Sequence, residues 1–438
     1  MKAAKDLLHA AIPGPEDITR TQLPNGIVVL VRPNFSSPSV VISGYLHAGA
    51  IFDAEEKLGL ADFTAAALLQ GTRRRGFGQI YTDMEEAGAN LGFSSGTHTV
   101  SFLGRSLADD MRLLLDLLAE SLRCPTFPRR RVETLRAMLL TGLDLRDQDP
   151  EERAALAFDG LLYPDHPYRR PDEGYPETVK RIKRRHLVEF HARQYGPREL
   201  VIAVVGGIDP GLAVRLVEEV LGDWHNPDQS PPPQLPAWQP LDGVKRIRVD
   251  LPDKSQSEVV VGSAGPARGE PDFIAAAVGN NILGQFGLMG RIGQAMRERA
   301  GLAYYASSSL GSSLGPGPWT VSAGVDPENE DRAIELIFDE LRRFTTELVS
   351  EEELADVQAN LTGRMPLSLE SNTGVASRLL HMEKHRLGLD YLQRYAAMIK
   401  AVTREEVLAA GARYLDPARL VVAAAGPPRQ KTQEENHG

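Results

Sequence analysis

One cysteine, Cys124, stands in the whole 438-residue chain, so no disulfide can close within it, and the usage fits a reducing compartment. Next to Pro125 and a helix end, this thiol reads as a small core residue rather than a nucleophile. No run of 18 apolar residues occurs, so nothing reads as a bilayer span. Met1–Pro15 has no apolar stretch of signal-peptide length before Pro13, and a cytoplasmic location is the expectation. A basic excess is missing as well. Against 49 Lys and Arg stand 59 Asp and Glu, and a net charge of −10 leaves no surplus to neutralise phosphates, which argues against a nucleic-acid binder. The runs Arg73–Arg75, Arg129–Arg131 and Lys180–Arg185 read as solvated faces.

What is present is ordinary for a globular protein: 42% hydrophobic and 25% charged residues, with length enough for two or more domains. After a short polar arm, Leu23-Pro24-Asn25-Gly26 signals a hairpin, followed by strand patterns at Ile27–Val31 and Val40–Leu46. Helical patterns follow at Leu60–Leu69, Ile80–Ala87, Asp109–Leu122 and Arg129–Arg146, with strands at Asn90–Ser95 and Thr97–Leu103 between them. A helix at Ile182–Tyr195 and an apolar strand at Leu200–Gly207 close the first half. Gly222–Gly243 then carries Pro227, Pro231, Pro232, Pro233, Pro236 and Pro240, which reads as an extended linker with Trp224 and Trp238 pinning its ends.

Past the linker the order of elements begins again. Leu251–Lys254 matches Leu23–Gly26, Glu258–Gly262 matches Val40–Gly44, Asp272–Ala277 matches Asp62–Ala67, and Asp331–Phe344 matches Asp109–Arg123. The second half also ends in an apolar strand, Leu420–Ala425. The expectation is an α+β fold of two homologous domains, each a mainly antiparallel sheet covered by helices. The boundaries are an arm at 1–18, a domain at 19–221, the linker at 222–243, a domain at 244–426 and a polar tail at 427–438.

The stretch Gly59-Leu-Ala-Asp-Phe-Thr-Ala-Ala-Ala-Leu-Leu-Gln-Gly-Thr72 resembles the first motif of the pitrilysin/insulinase (M16) metallopeptidases, Gly-x-Ala-His-x-x-Glu-His-x-x-x-x-Gly-Thr. Gly59, Ala61, Gly71 and Thr72 fall in register, so Asp62 and Ala66 stand at the histidine positions and Ala65 at the glutamate position. Two imidazoles at i and i+4 share a helix face and grip zinc, with the glutamate beside them as general base. The family's third ligand is a glutamate roughly 75 residues further on, after a Pro-x-Phe segment. Anchored on Pro125-Thr126-Phe127, that position falls at about Gly142, beside Thr141 and Leu143. Asp62 alone cannot replace the set, so no catalytic zinc is expected at these positions and no peptide hydrolysis by this chain unaided.

A second resemblance runs through Ile282-Leu283-Gly284-Gln285, Gly290-Arg291-Ile292 and Arg297-Glu298-Arg299-Ala300-Gly301-Leu302-Ala303-Tyr304. The family's Arg and Tyr, seven residues apart around Gly-Leu-Ala, reach to the zinc site, holding substrate backbone and the developing oxyanion; the resemblance assigns these roles to Arg297 and Tyr304. The bland alternative makes Arg297 a helix cap or salt-bridge partner and Tyr304 a strand core residue. Tyr305 is expected on the opposite face of the strand. Together the resemblances cover residues 19 to about 426, and an Arg/Tyr half without a zinc half implies a subunit that completes the site of a zinc-bearing M16 partner in a heterodimer. Zinc is then expected in the partner and no cofactor in this chain, with a peptide as substrate, also held by addition to an exposed strand edge. The alternative is a peptide-binding or assembly protein without hydrolysis.

His381 and His385 have the i, i+4 spacing of metal ligands, but Glu383 between them points elsewhere, so a solvated helix face is the simpler reading. The glycines of Gly284–Gly290 and Gly311–Gly317 lack the Lys-Ser/Thr context of a phosphate loop.

Overall fold

Runs of β-branched residues form the central strands of two sheets in the computed structural model, which describes residues 12–287 and 290–429. The first half folds as β1 (Thr19–Gln22), β2 (Val28–Pro33), β3 (Ser39–Leu46), α1 (Leu60–Ala67), α2 (Phe77–Glu86), β4 (Asn90–Ser95), β5 (Val100–Leu107), α3 (Met111–Arg123), α4 (Arg129–Arg146), α5 (Pro150–Leu162), α6 (Pro176–Arg181), α7 (Arg184–Gln194), β6 (Val201–Gly206) and α8 (Pro210–Leu221). The second half folds as β7 (Lys245–Asp250), β8 (Ser257–Ala264), α9 (Phe273–Gly284), α10 (Gly290–Gly293), β9 (Ala303–Leu310), β10 (Pro318–Val325), α11 (Glu330–Thr346), α12 (Glu351–Leu367), α13 (Asn372–Lys384), α14 (Tyr391–Ala401), α15 (Arg404–Tyr414) and β11 (Val421–Gly426).

The first sheet runs β1-β2-β6-β3-β5-β4 and the second β7-β11-β8-β10-β9. Apart from β1 the two orders are the same, with one parallel pair each, β2 with β6 and β7 with β11, and antiparallel pairing elsewhere. The expected duplicated α+β fold is therefore what the chain adopts. β6 and β11, buried along their whole length, are correspondingly apolar from end to end. One of the matches between halves does not hold. Leu23–Gly26 precedes β2, its turn closed by the Gly26 N–H to the Leu23 carbonyl at 2.9 Å, whereas Leu251–Lys254 follows β7 and so occupies the place of the β2–β3 connection.

The compact units are not continuous in sequence. The first contains the chain up to Asp144, Arg170–Gln234 and Gly363–Ala396; the second contains Leu145–Arg169, Leu235–Thr362 and the chain from Ala397. Each half thus sends a helix to the other half's sheet. In the second unit Ala154, Phe158 and Leu162 of α5 pack on Val260, Val421, Ala423 and Ala425, with Phe158, Leu162 and the two valines each contributing about 1.5–3 kcal/mol. In the first unit α13 covers β3 and β6, where the Asn372 amide donates to the Ser39 carbonyl at 3.4 Å. The proline-rich stretch passes from one unit to the other between Gln234 and Leu235. Trp224 is buried in the first core, and the Trp238 indole N–H donates to the Leu162 carbonyl at 3.0 Å in the second unit, so both tryptophans do anchor it.

Candidate functional site

In the first unit, α1 begins where the Asp53 carboxylate accepts three backbone N–H groups, from Gly59 and Leu60 at 2.9 Å and from Ala61 at 3.0 Å. These are the donors that a helix start leaves unpaired. Burial pushes the Asp53 carboxyl up to about 8, against the downward pull of the three amides. One turn on, Asp62 is half-buried and its carboxylate makes no hydrogen bond among the described residues. Burial first, then the negative charges of Glu173 and Asp172, push its carboxyl up to about 7.

Ala65 is buried and Ala66 half-buried on the same helix. The first half of α4 touches this stretch through two arginines: the Arg131 Nε donates to Gln70 Oε1 at 2.9 Å, and the Arg136 guanidinium lies 5.1 Å from the Phe63 ring centroid. Gly142 on α4 is exposed, and a Cβ there would meet nothing within 4 Å. Its neighbours offer no substitute, since the Thr141 hydroxyl donates to the Ala137 carbonyl at 3.0 Å and Leu143 is buried. Zinc needs nitrogen, sulfur or carboxylate donors, and methyl groups and a bare glycine do not fit it. Among the described residues no three His, Cys, Asp or Glu side chains are placed to hold a metal ion. His381 and His385 lie with ring centroids 4.6 Å apart, while Glu383 is taken by the Arg20 guanidinium at 2.7 and 3.0 Å.

In the second unit Arg297 sits in a π-helical turn, Gln294–Arg299, of the kind often found where a helix serves a site. Buried Met296 anchors that turn. Gly301 closes it with φ +65°, a left-handed conformation that suits glycine, and the Leu302 N–H returns to the Met296 carbonyl at 2.9 Å. Arg297 is exposed, and its guanidinium has no hydrogen bond or ion pair among the described residues. Tyr304 follows on β9, the edge strand, and is 66% exposed, so it is not a core residue.

The register there is irregular. Gly324 of β10 opposes Tyr305 while Val325 opposes Ala303, which leaves Tyr304 as the extra residue of a β-bulge. Simple alternation across Tyr304 and Tyr305 therefore does not apply at this point. The two tyrosines still differ, because the Tyr305 hydroxyl donates to Glu258 Oε2 at 2.6 Å and Glu258 is buried. Burial pushes the Glu258 carboxyl up to about 7, the phenol pulls it down, and Glu151 and Asp149 push it up further.

The profile described as "Insulinase (Peptidase family M16)" matches residues 28–161, and "Peptidase M16 inactive domain" matches residues 181–361. An uncharacterized zinc protease of Mycobacterium tuberculosis is 30% identical over 415 residues, 93% of either chain. The chain belongs to the M16 peptidase family. Mitochondrial-processing peptidase subunit beta of Bos taurus is 23% identical, covering 88% of this chain and 80% of its own. Among solved structures, a peptidase M16 inactive domain from Pseudomonas fluorescens superposes with a TM-score of 0.88 at 25% identity, over 94% of this chain and 99% of that one. A protease from Helicobacter pylori, at 17% identity and a TM-score of 0.87 over the same shares, has the same fold. Within this M16 fold, sequence reasoning passed over Glu258 and Asp53. The available signal for Glu258 was a carboxylate opening the apolar run Val259–Val261; for Asp53 there was only its place just before a helix.

Proposed function

We propose that this chain is the non-catalytic subunit of an M16-type zinc peptidase, active only beside a zinc-bearing M16 partner in a heterodimer. Arg297 and Tyr304 hold the peptide backbone and stabilise the oxyanion that forms on the scissile carbonyl. Zinc and the attacking water belong to the partner. The observation that carries the reading is the contrast between the two units: donors are kept exposed and uncommitted at Arg297 and Tyr304, while the zinc positions hold Asp62, Ala65, Ala66 and Gly142. A guanidinium and a phenol are strong donors to developing negative charge, and a donor engaged elsewhere in the fold could not be aimed at it. The name of the bovine relative, a subunit, fits a chain that works in an assembly. No helix among the described residues is long and apolar enough to cross a membrane, and we place the assembly in the cytoplasm.

The test is purification of the chain from its native cell, identification of the chain bound to it, and peptide hydrolysis by each alone and by the mixture. The reading expects zinc and activity only when the partner is present. A mixture that binds peptide and cleaves none would favour a holding or assembly role instead.

A further inference from the structure

The bulge that presents Tyr304 is tied to the middle of its sheet by one side-chain bridge. Glu258 lies on β8, Gly324 opposite it on β10, and Tyr305 opposite Gly324 on β9. The Tyr305 phenol passes over the intervening glycine to reach Glu258 Oε2 at 2.6 Å. A Cβ on Gly324 would come within 2.7 Å of Tyr305 Cε1 and would also collide with the Gln256 amide, so the bridge requires a glycine in the strand it crosses.

Glu258 is an expensive residue to place there. It is 1% exposed, its Oε1 has no hydrogen-bond partner among the described residues, and Asp149 and Glu151 at the start of α5 add like charge. A buried carboxylate satisfied at one oxygen destabilises a fold relative to an apolar residue of the same shape. Its one hydrogen bond goes to the residue immediately after Tyr304, at the strand's only register shift.

Resting on the function proposed above, we infer that Glu258 and Tyr305 are positioning residues that fix the β9 bulge and thereby aim Tyr304. A bulged edge strand is held by fewer ladder bonds than a regular one, so a cross-strand tether decides where its extra residue points. Tyr304 acts by donating to an oxyanion, and such a donor loses effect when displaced by less than a bond length.

The first measurement needs this chain alone: hydrogen exchange at the amides of Ala303–Ala306 in the full-length protein. Tyr305→Phe, which removes one oxygen, and Glu258→Leu are expected to speed exchange at Tyr304 and Tyr305 by about tenfold. Glu258→Gln, which keeps an acceptor for the phenol, is expected to leave exchange within about twofold of wild type. Unchanged exchange in Tyr305→Phe, or a Gln variant as fast as the Leu variant, would overturn the inference.

The second measurement uses the zinc-bearing chain that co-purifies, with a fluorogenic peptide. Tyr305→Phe is expected to lower kcat about tenfold with KM unchanged, and Glu258→Gln to restore it where Glu258→Leu does not. Full activity in Tyr305→Phe alongside a loss in Tyr304→Phe would sink the positioning role and leave the proposed function standing. Full activity in both would sink the proposed function itself, while the exchange result would still decide whether the bridge holds the bulge.

Discussion

The Asp53 carboxylate takes the backbone N–H of Leu60 at 2.9 Å through the same oxygen that accepts from Gly59, and gives its other oxygen to Ala61. One side chain thus starts the helix that carries the Gly59–Thr72 resemblance. Asp53→Ala leaves three amides without partners in a buried place, and we expect a loss of about 3 kcal/mol in unfolding free energy, read from urea denaturation. Asp53→Asn should lose less, since its amide oxygen can still accept. A change under about 0.5 kcal/mol in Asp53→Ala would contradict this account.

Arg297 and Tyr304 are exposed, so their removal separates function from folding. In the mixture with a zinc-bearing partner, Arg297→Ala is expected to lower kcat about 10²-fold and Tyr304→Phe by a similar factor. Neither should shift the melting temperature by more than about 2 °C, because surface substitutions rarely exceed about 0.5 kcal/mol. Wild-type rates in both variants would remove the donors from the mechanism.

Glu258 and Glu353 make stability depend on pH in opposite directions, and Asp53 and Asp62, raised to about 8 and about 7, act in the same sense as Glu258. Glu258 is raised to about 7 from an ordinary 4.5, so the folded protein holds its proton longer than the unfolded chain does. Its contribution is fully present below pH 4.5 and is lost as pH rises through 7, an effect of about 2–3 kcal/mol. Glu353, gripped by the Arg291 guanidinium at 2.6 and 2.7 Å, is lowered to about 2. That contribution is present above 4.5 and lost as pH falls through 2. The fall in stability between pH 5 and 8 should be shallower in Glu258→Gln, which cannot titrate, with Asp53 and Asp62 keeping part of the slope, and as steep as wild type in Glu353→Gln.

Much of this was legible beforehand, and the rest was not for definite reasons. Alternating and continuous apolar runs located β2, β3, β6, β8 and β11, and the Gly59–Thr72 spelling located α1. Periodicity shows which face of a helix is apolar but not which sheet that face covers. Phe158 on α5 and Val375 on α13 therefore gave no hint that their helices cross to the other half's sheet. The bulge at Tyr304 was hidden for a related reason, since an extra residue in one strand is defined only by the register of its partner, here Gly324 and Val325. The Leu251–Lys254 match failed because turn residues record a change of direction and not which strands it joins.

Rebuilding the metal site should be possible for its ligands and costly for its base. Asp62 and Ala66 are half-buried and a Cβ on Gly142 would meet nothing within 4 Å, so Asp62→His, Ala66→His and Gly142→Glu are expected to fold. In the family motif that these positions resemble, two imidazoles at i and i+4 and a later carboxylate make a three-ligand set that keeps a position for water. The triple variant is expected to retain about one zinc per chain after dialysis, by atomic absorption, where the wild type retains far less than one. Ala65 is only 1% exposed, so Ala65→Glu forces a carboxylate into packed surroundings and should cost about 3 kcal/mol or more. The triple variant should therefore hold zinc without cleaving peptide, because nothing stands where the general base belongs. Zinc retained equally by wild type would overturn the claim that Asp62, Ala65, Ala66 and Gly142 cannot bind it, and no zinc in the triple variant would show that α4 does not carry the third ligand position at Gly142.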